Sequence, residues 1–177
     1  MRVKALRNSD KALDESALEA FALRYVSRYA TTRHKLKNYL IRKLREKGGP
    51  DRLEAAIDNI VNKYAEMGYI DDALFAQSRA SALLRKGYGK RRIMHALKQA
   101  GIAEVDQEQA RQLSEEGHWQ AAQKFAQKRR IGPYASEQHD RKQCQKLLQA
   151  FLRAGHDYEI AAKYVFAKPG ETIDLDI

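Results

Sequence analysis

Apolar residues recur along this chain at helical spacing, in short runs separated by glycine, proline or capping residues. Leu18, Phe21, Ala22, Tyr25, Val26 and Tyr29 trace a first helix, with Ser16 and Glu19 placed as a capping box at its start. Ala30-Thr31-Thr32 stops it, and Thr32 is positioned to cap a second helix lined by Leu36, Leu40 and Leu44. Gly48-Gly49-Pro50 ends that helix. Asp51 and Glu54 suggest another capping box before Leu53, Ala56, Ile57, Ile60, Val61 and Tyr64. Short links between three such helices predict an antiparallel bundle.

The pattern then repeats. Asp71 or Asp72 caps a helix with Phe75, the stem of Arg79, Ala82 and Leu83 on one side. Lys86-Gly87-Tyr88-Gly89 turns the chain, through glycines suited to a left-handed bend, into a helix whose buried side is Ile93, Leu97 and Ala100. An acidic helix over about 104–116 follows. A third trio begins with Trp119, Ala122, Phe125 and Ala126, and Trp119 is assigned to its core. It breaks at Ile131-Gly132-Pro133-Tyr134 and resumes with Cys144, Leu147, Leu148 and Phe151. After Gly155, Asp157 caps a last helix through Tyr164 and Val165. Leu40, Ile93 and Leu147 correspond, as do Gly48, Gly101 and Gly155, at offsets of 53 and 54 residues. Pairing Leu36 with Ile93 instead gives 57 for the first two units, so the register between them stays open. Three-helix bundles of this size are marginal alone and share a core when stacked. The expectation is an all-α protein: three tandem three-helix units in an elongated, curved helical-repeat array. The units span 14–69, 70–117 and 118–167, between a flexible basic arm at 1–13 and an acidic tail at 168–177.

Charge sharpens this reading. The net charge is +10, and residues 1–70 carry 15 Lys/Arg against 9 Asp/Glu, residues 71–102 carry 7 against 2, and residues 103–177 carry 11 against 12. Positive potential concentrated in the first 102 residues points to an acidic or polyanionic partner. Between Arg79 and Lys98 there are seven Lys/Arg and no Asp/Glu. Arg91, Arg92, His95 and Lys98 face away from Ile93 and Leu97, with no acid at i±3 or i±4 to pair with them. Open N–H groups at the start of that helix, flanked by Lys86 and Lys90, form a candidate anion site, and Tyr88 is a candidate for stacking on a base or packing on its neighbours. A second basic row, Arg33, Lys35, Lys37, Arg42, Lys43, Arg45 and Lys47, is interrupted only by Glu46.

Gly-Tyr-Ile-Asp-Asp at 68–72, Phe75-Ala76, Lys86-Gly87-Tyr88-Gly89 followed by basic residues and Ile93, and the Gly101-Ile102 ending together resemble the RecX family, bacterial modulators of the recombinase RecA. Leu74, Lys90 and Ala100 stand where that pattern has Arg, Pro and Lys. The resemblance covers roughly residues 14–166 and implies three tandem three-helix units. It further implies binding to the RecA nucleoprotein filament, with inhibition the typical effect on recombination, DNA repair and the SOS response. Arg79, Arg85, Lys86, Tyr88, Lys90, Arg91, Arg92, Lys98, Lys35, Arg42 and Arg45 are the candidate RecA- and DNA-contacting residues. The alternative is a DNA-binding protein that uses the same basic rows without RecA, weakly and independently of sequence.

Enzyme chemistry finds no carrier. There is no phosphate-binding loop, no nucleophile elbow and no metal-ligand spacing, and the five histidines are scattered. No cofactor or metal is expected. The single cysteine, Cys144, leaves no internal disulfide and suits a reducing compartment. The basic N-terminus lacks the apolar core of a secretion signal, and no apolar run is long enough to span a bilayer. A cytoplasmic monomer is expected.

Overall fold

A computed structural model describes residues 13–174. The expected basic arm therefore lies outside the described residues except for Leu13, which packs on the first core, and so do the last three residues of the acidic tail. The described residues form nine α-helices and two short 3-10 turns, with no strand. Contacts divide them into two compact units, one up to Asp71 and one from Asp72 onward.

The first unit holds α1 (Glu15–Val26), α2 (Arg33–Glu46) and α3 (Arg52–Glu66), each packed on the other two. Leu18, Leu36, Leu40, Ile57 and Ile60 lose essentially all contact with water. Each such side chain contributes about 1.5–3 kcal/mol by burial. Thr32 caps α2 as expected, its Oγ1 accepting from the Lys35 amide at 3.2 Å. The other two caps differ. Asp14, in extended backbone, caps α1 by accepting from the Ala17 amide at 2.8 Å, so Ser16 falls inside the first turn and Glu19 is released to meet Lys63 of α3 at 2.7 Å. Asp51 is already in helical backbone (φ −54°, ψ −30°), a geometry from which its carboxylate does not reach the following amides.

The second unit contains both remaining trios: α4 (Asp72–Arg85), α5 (Lys90–Gln99) and α6 (Glu108–Glu116), then α7 (His118–Arg129), α8 (Arg141–Arg153) and α9 (Tyr158–Phe166). The middle and third trios share one compact body. On α5 the expected face is buried: Ile93 and Leu97 fully, Ala100 nearly so. On α4 it is rotated by about one residue. Asp72, Ala76, Ala80 and Leu83 are buried, because α4 packs most extensively on α6 and small alanines admit that close approach. Phe75 is half-buried and Arg79 exposed. In the third trio, Phe125, Phe151, His156 and Tyr164 form an aromatic cluster with ring centres 4.7–5.9 Å apart. Burial there pushes the Tyr164 hydroxyl up to about 12. Trp119 is only half-buried at the edge of this core, with the Lys163 ammonium 5.2 Å from its ring. A capping box that the periodicity left unnoticed starts α8: Asp140 and Gln143 bond each other's backbone amides.

The two possible registers both exist. Helix α2 has 14 residues and α5 has 10, so their starts are 57 apart and their terminal glycines 53 apart. Aligned from the front, Leu36 matches Ile93; aligned from the back, Leu40 does. The extra turn in α2 is the whole difference.

The joint between the middle and third trios is made of backbone. Gly87, at φ 86°, reverses the chain after α4. The Gly89 amide donates to the Ala154 carbonyl at 2.9 Å and the Arg91 amide to the Gly155 carbonyl at 3.1 Å. His156 Nε2 lies 3.1 Å from the Gly87 carbonyl, and the carbonyl, an acceptor only, assigns the ring proton to that nitrogen. A Cβ on Gly89 would lie 2.3 Å from the Gly155 carbonyl oxygen, and one on Gly155 only 2.4 Å from the Arg92 nitrogen. Side chains cannot enter this joint.

Three outcomes are expected. Gly155→Ala should destabilise the second unit by at least about 2 kcal/mol, since it displaces two hydrogen bonds of roughly 1 kcal/mol each. Gly48→Ala, also at positive φ but with nothing within 4 Å of its Cβ, should cost only about 1–2 kcal/mol. Urea unfolding of both variants ranks them, and an equal cost would remove the special role of the joint. A fragment of residues 71–117 should show little helical signal in far-ultraviolet circular dichroism, while residues 71–166 should melt cooperatively. A cooperative melt of the shorter piece would contradict this. Burial also holds the His156 imidazole below its ordinary range, so the folded ring stays neutral where the unfolded ring takes a proton. Stability should fall as pH drops below about 6.5, where the unfolded chain binds the extra proton. His156→Gln should flatten that part of the profile, and an unchanged slope would assign it to other groups.

Candidate functional site

The joint places the end of α4, the Gly87–Gly89 turn, the exposed side of α5 and the last turn of α8 around one open groove of about 680 Å³. Leu83, Ala96, Leu152 and Gly155 supply its apolar surface, and Arg79, Lys86, Arg91, Arg92 and Arg153 supply charge, with His95 and Gln99 beside them. No Asp or Glu lines it. The nearest carboxylate with a described contact is Asp157, 4.0 Å from Arg91 Nε, and both side chains are well exposed. A pair at that distance in water is worth well under about 1 kcal/mol. The groove therefore keeps a concentrated positive field.

Tyr88 sits at the groove's edge, half-buried against both the middle and the third cores. The Arg92 guanidinium lies 4.4 Å from its ring centre. This stacking orients Arg92 and leaves Tyr88 a support for a cation, rather than an exposed platform for a base. The expected anion site at the start of α5 is not open in this form. The Arg91 amide is bonded to Gly155, and the Arg92 and Ile93 amides turn back to Gly89. Anion attraction here falls to side chains, not to the helix terminus.

Five of the sequence-derived candidates thus converge: Arg79, Lys86, Tyr88, Arg91 and Arg92. Three from the same stretch do not. Lys90 turns to the opposite side and pairs with Glu115 of α6. Arg85 lies with Leu84 and Glu116 on another surface, and Lys98 is exposed outside the groove's lining. Arg153 joins the groove unannounced, because the third trio is nearly neutral as a whole. Its position two residues before the repeated glycine was the available signal.

The first unit differs. Lys37 pairs with Asp58 at 2.6 Å, Lys43 with Glu46 at 2.6 Å, and Arg42 approaches the same carboxylate at 3.6 Å. Arg33 donates to Asn62 at 2.9 Å. Lys35 is half-buried and Arg45 exposed. Asp58 of α3 and Glu46 thus offset part of the basic row along α2. Among the described residues no group of three His, Cys, Asp or Glu could hold a metal ion, and no helix is long and apolar enough to cross a membrane.

Residues 71–110, which include α4, the turn and α5, match the family model for the second three-helix domain of RecX. A regulatory protein RecX of Myxococcus xanthus is 32% identical over 160 residues, 86% of each chain. The regulatory protein RecX of Agrobacterium fabrum is 31% identical over 147 residues, covering 81% of this chain and 79% of the relative. Two solved structures share the fold. A crystal structure of regulatory protein RecX aligns with a TM-score of 0.65 at 26% identity, over 82% of this chain and 70% of that one. RecX from Lactobacillus salivarius aligns with a TM-score of 0.63 at 25% identity, over 83% and 91%. The all-helical fold, the matched middle unit and relatives aligned along most of their length together place this chain in the RecX family of regulatory proteins.

Proposed function

We propose that this protein binds the nucleoprotein filament of the recombinase RecA as a cytoplasmic monomer and inhibits it, with the α4–α5–α8 groove as its principal contact surface. One observation carries the reading: five Lys/Arg side chains converge on a groove without a lining carboxylate, four of them from the stretch that matches the family model. Such a surface suits both carboxylates of a protein partner and phosphates of DNA. Its cations bind charge, not base edges, so any DNA contact through it is independent of sequence. No catalytic step is assigned to the protein, and it needs no cofactor or metal for this role.

Arg79→Glu with Lys86→Glu reverses two exposed groove cations for which no ion pair is described. Substitutions at such positions normally change stability by less than about 0.5 kcal/mol. The double variant should keep the wild-type melting curve and lose inhibition of RecA-dependent strand exchange and ATP hydrolysis. Lys142→Glu with Lys146→Glu changes net charge equally on exposed positions of α8 outside the groove and should retain inhibition. Equal loss in both would attribute the effect to net charge and reject the groove. DNA affinity should also fall with salt, with a log–log slope of about −0.7 per phosphate contacted on single strands. Sequence-specific or salt-insensitive binding would refute the phosphate contribution.

A further inference from the structure

A second basic concavity lies in the first unit, and its chemistry differs from that of the groove. Where α1 ends beside the middle of α2, Tyr25, Tyr29 and Tyr39 line an opening of about 470 Å³ together with Arg24, Arg28, Arg42 and Lys43. The rings form a short ladder. Tyr25 and Tyr39 stack with centres 4.3 Å apart and planes within 20°, and Tyr29 follows at 5.4 Å from Tyr25. Tyr25 and Tyr39 are anchored by packing on the first core, so their positions are fixed by the bundle. Tyr29 is not used that way: it follows the last turn of α1 and leaves 57% of its surface exposed.

Helical spacing placed Tyr29 with the core residues, and the structure overturns that. The helix ends at Val26, and Tyr29 lies beyond it, its ring on the surface and not in the core. What results is an aromatic surface in water, continuous with two core-held rings and bordered by four cations. Arg24 and Arg28 make no ion pair among the described residues, and no Asp or Glu lines the opening. Arg42 and Lys43 share Glu46, while also lying 5.6 and 5.9 Å from the Tyr39 ring centre. Core closure explains Tyr25 and Tyr39 but gives no reason to add an exposed third ring. A phosphate site alone would explain the cations but not the ladder. Flat apolar faces in one opening with unpaired cations suit a strand that offers both bases and phosphates.

We propose that the Tyr25–Tyr29–Tyr39 ladder is a stacking site for an unpaired base of a nucleic-acid strand, with Tyr29 as the platform and Arg24 and Arg28 holding the adjoining phosphates. Duplex DNA, whose bases are already stacked, is excluded from this mode. The proposal rests on the nucleic-acid part of the reading above, but it concerns a different unit and a different interaction, and it requires no RecA.

The test uses the full chain with fluorescently labelled oligothymidylate, an abasic oligodeoxynucleotide of equal length, and a duplex, read by anisotropy. Wild type should bind oligothymidylate more tightly than the abasic strand by about fivefold or more, the yield of one stacked base. Tyr29→Ala should erase that preference, Tyr29→Phe should keep it, and Arg28→Ala should weaken both strands alike. An oligouridylate arm reports whether RNA is taken as well as DNA. Photocrosslinking of a 5-iodouracil strand should map to Tyr29 or Tyr39, a readout independent of how well Tyr29→Ala folds. Equal binding of the thymidylate and abasic strands by wild type would overturn the site. So would crosslinks confined to residues 72–177, or displacement by polyglutamate that depends on Tyr29. Absence of any base preference in a wild-type protein that inhibits RecA rejects this site and leaves the groove standing. Intact base preference in an Arg79→Glu, Lys86→Glu protein that still inhibits RecA rejects the groove and leaves this site.

Discussion

Two amide protons, on Gly89 and Arg91, are donated to the carbonyls of Ala154 and Gly155, and much of the second unit's working surface follows from that exchange. Backbone can meet backbone here only because neither Gly89 nor Gly155 has a side chain. The contact fixes where α5 begins relative to the end of α8, and so it brings Arg153 to Arg79, Lys86, Arg91 and Arg92. It also consumes amides that would otherwise attract an anion. The same bonds that build the basic groove therefore exclude the helix terminus from its chemistry. His156 reinforces the joint from the third core, linking the Gly87 carbonyl to the aromatic cluster through one buried ring.

Charge in this protein is best understood by what stands opposite each cation. Lys90 belongs to the most basic stretch of the chain yet pairs with Glu115, because the helix starting at that residue turns it toward α6. The α2 row is richer in Lys and Arg than α5, but Asp58 and Glu46 take up part of it. The groove cations have no such partner on its walls. A surface pair stabilises a fold by little, whereas uncompensated cations held together on a rigid frame raise the local potential for an incoming polyanion. The distribution favours recognition over stability.

The two units place aromatic residues differently as well. In the second, Tyr88 is wedged between two cores and serves as a base for Arg92. In the first, the ladder ends in open water at Tyr29. Both positions follow a helix end, but Tyr88 lies under the joint with the third trio, and the joint covers it. An exposed ring next to cations and a covered ring beneath a cation look alike in sequence. They differ in what is available to a ligand.

Local order was legible in the sequence. Helical periodicity identified the nine helices of the described residues, because each must bury one apolar stripe, and Leu36, Leu40, Ile93 and Leu97 are all buried as their spacing requires. Thr32 was readable as a cap, and Gly48, Gly101 and Gly155 as repeat punctuation, since each works through its own backbone and near neighbours. The motifs from Gly68 to Ile102 sufficed for the resemblance to the family. Three things required the tertiary structure. The α4 face depends on how closely alanines admit α6, a property of the pair and not of either helix. The choice of Asp14 over Ser16, and the failure of Asp51, turn on backbone angles that the local sequence leaves free. Membership of the groove depends on a contact between turns some 65 residues apart, which recruits Arg153, closes the α5 amides and removes Lys90. A sequence records which side chains are charged, but only packing decides which of them share a surface and which are already answered.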